Sequence, residues 1–499
     1  MRATAAPLAD LAPSESLPPD VVVETVVPNV NQLVAMAFTP DSRLLYTERT
    51  GNVRVVVNDQ LAPTPVYPFP VDTQGERGLL GIAIDPNFQM NHFVWVYYTR
   101  HTGTNPDRFE NRVVRFALSD DNTVTETVKA RGFPVNQYVT IHNGGNLHFG
   151  PDGKLYVSVG NNALDNDLAT PSQSLNSELG KILRFNPTVP LSVPSDNPWP
   201  GLGIYAYGLR NSFDFDFDPI SGAIFATENG SDCDDELNRI LPAHDYGWRV
   251  PYPCDDATGP DPAYNTNPPL AHWTPSIAPT GIAFYQSDLI PEWRGDAFMC
   301  NWKAATTSLQ HVRLNAARSA IASLTVLSDT VTYQPIHCQT DVVVGPEGAL
   351  YYSDGGGWGT GSIKRLIRRT SFLDSQVKTL TPHVEAGGTI EMLITLQHRG
   401  TISNTFNVSV DPLGQADVIG AQTNRGTIDF SATDLTWTGT VSGTEAVTAT
   451  YTLQTSAATT TTYWLSNLVY IDAPQATPVT LNPQVVVNGY AAYLPVMRR

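Results

Sequence analysis

Along most of the chain one pattern of apolar and polar positions keeps returning: an apolar strand end, a turn containing proline, then a second apolar strand. It reads FTPDSRLLYT around Pro40, IDPNFQMNHFVWVYY around Pro86, FGPDGKLYVSVG around Pro151, FDPISGAIFATE around Pro219 and VGPEGALYYSD around Pro346. These prolines lie 46, 65, 68 and 127 positions apart, and the last gap holds GIAFYQSDLIPEWRGDAFMCNW, where Pro291 precedes a turn and another apolar strand. Proline fixes φ, an Asp or Asn side chain bonds its own backbone, and Gly supplies positive φ, so each phrase predicts a hairpin. Hairpins at such spacing predict four-stranded sheets arranged radially, an arrangement that protects strand edges. The six phrases therefore predict an all-β chain with a six-bladed β-propeller over residues 21–369, closed by the early strand VVVETVV at 21–27. Residues 1–20 are expected to be disordered or extended.

From about Ser371 the pattern changes to alternation with sparse charge, in TIEMLITLQHR, TFNVSVDP, DLTWTGTV, AVTATYTLQT and YWLSNLVYID. Alternation of this kind belongs to strands with one buried face. An immunoglobulin-like β-sandwich of about seven strands, with a C-terminal tail, is expected over 371–499. Nothing in this segment forms a catalytic constellation, and a spacer, an adhesion unit and a carbohydrate-contacting unit all remain open.

Composition agrees with many short strands: apolar residues are 41% and charged residues 16% of the chain, with 39 Pro and 37 Gly. A net charge of −18 excludes the basic footprint that nucleic-acid binding requires. No stretch approaches the roughly 18 apolar residues of a membrane span, and the opening MRATAAPLADLAPSESLPPD shows no cleavable signal in the chain as given. Cys233, Cys254, Cys300 and Cys338 do not sit at zinc-finger spacing. Free buried thiols and one or two bridges are both open, with Cys233 to Cys254 the favoured bridge.

Candidate chemistry lies in GERGLLGIAIDPNF at 75–88, HNGGNLHFGPDGKLYVSVGNN at 142–162, GLRNSFDFDFDP at 208–219 and ENGSDCDDELNRILPAHDYGW at 228–248. His142 carries the one common side chain that accepts a proton near neutral pH, and it precedes a Gly-Gly pair that allows close approach. It is read either as a general base or as a cap on a strand in the channel wall. The loop SDCDDELN brings Asp232, Asp234, Asp235 and Glu236 together, a density of hard oxygen ligands suited to calcium, or else a solvated acidic loop.

With LGKILRFNP at 179–187, PTGIAFY at 279–285 and DVVVGPEGALYYSDGG at 341–356, these motifs resemble the soluble glucose/sorbosone dehydrogenases that use pyrroloquinoline quinone, over roughly residues 20–369. The resemblance implies that His142 takes a proton from a sugar hydroxyl and that Arg210 stabilises charge on the quinone, a structural salt bridge being the other reading of Arg210. Asn211 and Lys303 would contact the cofactor. By the same resemblance the carbonyls of Gly230 and Ser231 would hold a calcium at the quinone, with Asp235 in the same acidic loop, while Glu236 and the Tyr246 carbonyl would serve a structural calcium. Departures accompany these matches. Asn161 stands where the family has an acid orienting the histidine, Glu76 replaces a cofactor-contacting glutamine, and Ile141 replaces an acid. The paired arginines that clasp the quinone carboxylates appear as Cys338 and Thr340, neither of which can make a bidentate charged contact.

The reading that follows is an exported sugar or polyol dehydrogenase with pyrroloquinoline quinone and calcium, passing electrons to a further acceptor, in a periplasmic, cell-surface or extracellular place. The rivals are a non-catalytic surface propeller that binds glycan or protein, which the lost arginines favour, and a calcium-dependent lactone hydrolase.

Overall fold

The computed structural model describes residues 12–18, 21–104, 107–163, 171–231, 233–248, 268–303, 307–368, 371–381, 384–399, 404–441, 445–458, 461–474, 476 and 478–488. It divides into two compact units, one built on Val23–Ile367 and the other on Arg368–Arg499. Among the described residues no helix is long and apolar enough to cross a membrane, which says nothing of a strand-built span.

Among the described residues the first unit contains six sheets, antiparallel except where Ser14–Ser16 joins one of them. Their innermost strands are Leu33–Phe38, Leu79–Ile84, Gly144–Phe149, Ser212–Phe217, Pro279–Phe284 and Val342–Val344. Each lies beside the next, and the last returns to the first, so the sheets form a closed ring. Every proline phrase is the connection between the first and second strand of a sheet, from Leu33–Phe38 into Leu44–Glu48 through to Val342–Val344 into Leu350–Gly355. The expected Asx turns are present: Asp85 Oδ1 accepts the Asn87 amide at 3.0 Å and Asp152 Oδ1 the Lys154 amide at 3.1 Å. The phrase around Pro291 makes a sheet like the others, with a 3-10 turn at Pro291–Trp293 leading into Ala297–Asn301.

Val21–Asn31 supplies the outer strand of the last sheet, beside Thr360–Arg368, so the chain's beginning fastens the ring. Ser14–Ser16 adds a parallel strand to the fifth sheet, pairing Ser14 with Val326. Within the segment expected to be disordered or extended, Ser14–Ser16 is an extended edge strand, with Glu15 paired to His311 and Arg313.

The inner strands carry carboxylates that reach across to the neighbouring sheet. Asp214 Oδ2 accepts the Ile282 amide at 2.9 Å, Asp216 Oδ2 the Phe284 amide at 2.8 Å, and Asp341 Oδ2 the Met36 amide at 2.6 Å. A buried amide without a partner is costly, so each of these acceptors fixes one sheet against the next.

Cysteine chemistry corrects one of the open readings, since none of the described thiols is free. Cys300 and Cys338 are bridged with Cα atoms 4.9 Å apart. Cys233 is also disulfide-bonded, and its favoured partner Cys254 lies outside the described residues.

Among its described residues the second unit has a separate two-stranded sheet of Tyr463–Ser466 and Gln484–Val487 and two sheets that pack as a sandwich. One sheet contains Gln376–Thr379, Thr389–Gln397, Ala446–Thr455 and Ala416–Thr423, and the other Thr427–Phe430, Leu435–Val441, Asn404–Asp411, Leu468–Asp472 and Val479–Leu481. Alternation does the work: Ile390, Met392, Ile394 and Leu396 are buried and meet Val408 and Trp437 of the facing sheet in one core. The phrase YWLSNLVYID splits at buried Asn467 into Tyr463–Ser466 and Leu468–Asp472, which pair in different sheets.

Candidate active site

In an antiparallel sheet the beginning of the first strand and the end of the second lie at the same edge. Five of the six inner strands also begin with a register shift, between Leu33 and Met36, Leu79 and Gly81, Gly144 and Leu147, Ser212 and Asp214, and Pro279 and Ile282. Bulges at a rim re-aim side chains. Val34, Leu80, Asn146, Phe213 and Thr280, all inside those shifts, line one cavity of about 170 Å³. Arg49, Asn229, Trp302 and Trp358, which follow the second strands of four sheets, line it too.

Glu76 and Asn211 are in this lining. Asn211 Oδ1 accepts the Gly144 amide at 2.9 Å and Glu76 Oε2 the His142 amide at 2.7 Å. His142 is buried behind the wall that Asn143 and Gly144 form, with its backbone in the left-handed region at φ 56°. The glycines here serve the close approach of two backbones: a Cβ on Gly160 would sit 2.2 Å from the His142 carbonyl oxygen, and one on Gly144 2.6 Å from the Gly160 nitrogen.

His142 Nδ1 lies 3.0 Å from Asn161 Oδ1, which also accepts the Ala163 amide at 3.1 Å. Because that oxygen is an acceptor, Nδ1 of the neutral ring carries the hydrogen and Nε2 the lone pair. Asn161 thus sets the tautomer a general base needs without lending it charge. The Asn161 Nδ2 group is buried and makes no hydrogen bond among the described residues.

Arg210 and Asn211 point to different places. Arg210 lies in a second, small cavity of about 10 Å³, room for about one ion or water, with Glu228, Gly230, Asp234, Glu236 and Tyr246. Its Nη1 donates to the Asn229 carbonyl at 3.0 Å, and Asn229 lines both cavities. Burial pushes the Glu228 carboxyl up to about 6 against the opposing hydrogen bonds from Ser212, Asn211 and Arg210. Burial also raises Glu236 well above the carboxylate range, opposed by a hydrogen bond from Asn238 and aided by Glu228, Asp234 and Asp235.

Within the acidic loop the carboxylates differ in employment. Asp235 is pushed up to about 6 by burial, and its two oxygens accept the Gly230 amide at 2.9 Å and the Ala278 amide at 2.6 Å. Asp234 Oδ2 and Glu236 Oε1 are buried and have no hydrogen-bond partner among the described residues. His272, the strand neighbour of Glu236, is buried as well, with Nδ1 3.5 Å from Asp234 Oδ1. Ser231 is half-buried, its Oγ 3.8 Å from Cys233 Sγ. Asp232 lies outside the described residues.

Lys303, expected to contact the cofactor, is not in the cavity lining. Lys303 is exposed and its Nζ donates to Ser276 Oγ, while its neighbour Trp302 faces the cavity. Cys338 is sealed in its disulfide, and Thr340, though in the lining, gives its hydroxyl to Ser353 Oγ at 2.8 Å. The residues that motif reading missed are Arg49, Trp302, Trp358 and Glu228. Their common signal is position, one to a few residues around the end of a second strand.

Residues 30–363 match the model of the family described as "Glucose / Sorbosone dehydrogenase". The chain is 27% identical to the aldose sugar dehydrogenase YliI of Escherichia coli, over 67% of this chain and 90% of that one. It is similar in structure to the PQQ-bound form of aldose sugar dehydrogenase from Streptomyces coelicolor, with a TM-score of 0.56 and 27% identity, covering 70% of this chain and all of that one. A shorter stretch, 35% of this chain and 28% of the relative, is 31% identical to Hedgehog-interacting protein of Mus musculus.

Proposed function

The chain belongs to the glucose/sorbosone dehydrogenase family, and from that premise we propose that it is an exported oxidoreductase that oxidises an aldose or related polyol with pyrroloquinoline quinone and calcium. The observation that carries the reading is the buried His142–Asn161 pair, next in sequence to the lining residues Asn143 and Gly144, with Nδ1 against an acceptor. His142 Nε2 takes the proton of the sugar hydroxyl whose carbon is oxidised. Pyrroloquinoline quinone, when bound, supplies the two-electron acceptor for the hydrogen leaving that carbon. Asn211, Asn143 and Asn146 line the cavity, and Arg210 reaches it only through Asn229, whose carbonyl it holds and which lines both cavities.

The residues fit both groups. For calcium the fit rests on the unpartnered, buried oxygens of Asp234 and Glu236, hard donors in a cavity of ion size that also contains Tyr246. Glu236 and the Tyr246 carbonyl would hold the structural ion, and the Gly230 and Ser231 carbonyls the one at the quinone. For the quinone the fit rests on a cavity lined by the amide side chains Asn143, Asn146, Asn211 and Asn229 together with Trp302 and Trp358.

A second reading, a propeller that binds a protein or glycan without catalysis, draws on the Hedgehog-interacting relative and on Cys338 and Thr340 standing where the family's arginines would be. Dye reduction by the full chain, loaded with the quinone and calcium, separates the readings. Turnover with aldoses but none with lactones is expected; lactone hydrolysis without dye reduction would replace this proposal with the hydrolase, and inactivity on every aldose and polyol would leave the binding module.

A further inference from the structure

The cavity contains a cation that none of the motifs pointed to. Arg49 follows the strand Leu44–Glu48 and lies with its guanidinium 4.0 Å from the Trp358 ring centre. Its Nε donates to Gln32 Oε1 at 3.0 Å, and Nη1 to the carbonyls of Thr73, Gly75 and Arg77 at 2.9, 3.2 and 3.0 Å. Every one of these acceptors is neutral. Nη2 makes no hydrogen bond among the described residues, and no carboxylate there pairs with the group. Glu48, its neighbour in sequence, receives Asn52 at 2.7 Å and Arg54 at 3.2 Å, and Glu76, in the same cavity lining, receives the His142 amide. Burial pulls the guanidinium below its ordinary value, the mark of a charge partly withdrawn from water without an anion to offset it. In a chain of net charge −18, such a group in a cavity wall calls for an anionic ligand.

Its place in the ring is next to the positions that lack their arginines. Thr340 lines the same cavity and precedes Asp341, whose carboxylate holds the Met36 amide of the first sheet. Arg49 therefore stands one sheet over from the vacated clamp. Trp358 and Trp302 meet edge to face with ring centres 6.0 Å apart, and a Cβ on Gly357 would fall 1.8 Å from the Trp302 ring, so the loop can only pass there as glycine. Two indole faces and a guanidinium make a corner for a flat anionic ring.

We propose that Arg49, seated on Trp358, is the carboxylate clamp of this chain, binding a carboxylate of the quinone in place of the cations missing at 338 and 340. The inference rests on the quinone reading above. Arg49 also ties down residues 73–77, and a purely structural role for it predicts no preference for a charged ligand.

The test is equilibrium binding to the full chain in excess calcium, followed by quenching of tryptophan fluorescence, with pyrroloquinoline quinone and its trimethyl ester as the two probes. The native chain should bind the acid about 10- to 100-fold more tightly than the ester, the range one charge-assisted hydrogen bond supplies. Arg49→Gln should remove most of that preference while leaving ester affinity unchanged, and Arg49→Lys should fall between. Equal binding of acid and ester by the native chain, or a preference that survives in Arg49→Gln, overturns the clamp alone. Binding of neither probe by the native chain overturns the quinone reading and the clamp with it. Should Arg49→Gln not fold, the native acid-to-ester ratio and its loss in Arg49→Lys decide the question.

Discussion

The sandwich and the propeller bury their interiors in opposite ways. In the sandwich two regular sheets face each other, and Ile390, Ile394, Val408 and Trp437 close a core in which buried polar groups are few, such as His398 and Asn467. In the propeller the inner strands converge and are bulged at their starts, which leaves backbone amides without ladder partners. Asp214, Asp216 and Asp341 supply those partners from the next sheet, and Glu228, Asp234, Asp235 and Glu236 lie buried close by. Polar chemistry therefore gathers where the hydrogen-bond ladder is broken at the strand starts, and the described sandwich strands, whose ladders shift register only between Val418 and Gly420, offer little of it.

The sharpest way to break this contrast is to truncate one residue on each side of it. His142→Ala should lower turnover by roughly 10²- to 10⁴-fold with quinone affinity nearly unchanged, since a general base is lost and the cavity is not. Trp437→Ala should leave both unchanged while costing about 3–5 kcal/mol of stability, the usual loss for a large aromatic in a dry core. Steady-state kinetics and thermal unfolding of the two variants check the pair.

Calcium gives the next effect. Chelation should destabilise the propeller and leave the unfolding of the sandwich where it is, with a gain of about 2.7 kcal/mol on restoring calcium at a hundredfold excess over its dissociation constant. Glu236→Gln should abolish that gain in calorimetry. A propeller transition indifferent to chelator would remove the ion from the account.

The smallest effect is one of pH. Burial raises the Asp216 carboxyl to about 6 from an ordinary 3.8, against the pull of His148 and the amides of Phe284 and Phe217. A raised carboxyl keeps its proton longer folded than unfolded, so its contribution is fully present below about pH 3.8 and is lost as pH rises toward 6. Asp216→Asn, compared with the native chain across that window, should gain at most about 3 kcal/mol in relative stability toward the upper end, in the propeller transition only.

How much of this could be read from the chain follows the same division. The hairpins were legible because Pro40, Pro86, Pro151, Pro219, Pro291 and Pro346 mark turns by local chemistry, and the closure by 21–27 because an unpaired apolar strand remained over. In the sandwich, alternation found Thr389–Gln397 and Ala446–Thr455 but not Ala416–Thr423, whose burial fades along its length, nor the change of sheet at Asn467. At the site, motifs single out His142, Asn161, Glu76 and Asn211, of which Glu76 and Asn211 line the cavity. Arg49 and Trp358 were not legible, because what brings them in is the shared edge of strand starts and strand ends, a property of the ring. The bridge between Cys300 and Cys338 was hidden for the same reason: the two residues are 38 positions apart and meet only across a sheet and the connection that follows it.

The central claim is that the cavity beside His142 passes a hydrogen from a sugar carbon to a bound quinone. The most direct measurement mixes the chain, loaded with pyrroloquinoline quinone and calcium, with excess aldose in the absence of oxygen and any dye, and follows quinone absorbance through a single turnover. The account predicts stoichiometric loss of the oxidised quinone band in the native chain, slowed by roughly 10²- to 10⁴-fold in His142→Ala. A band that persists in the native chain with every aldose and polyol tried, although the quinone is bound, would contradict it.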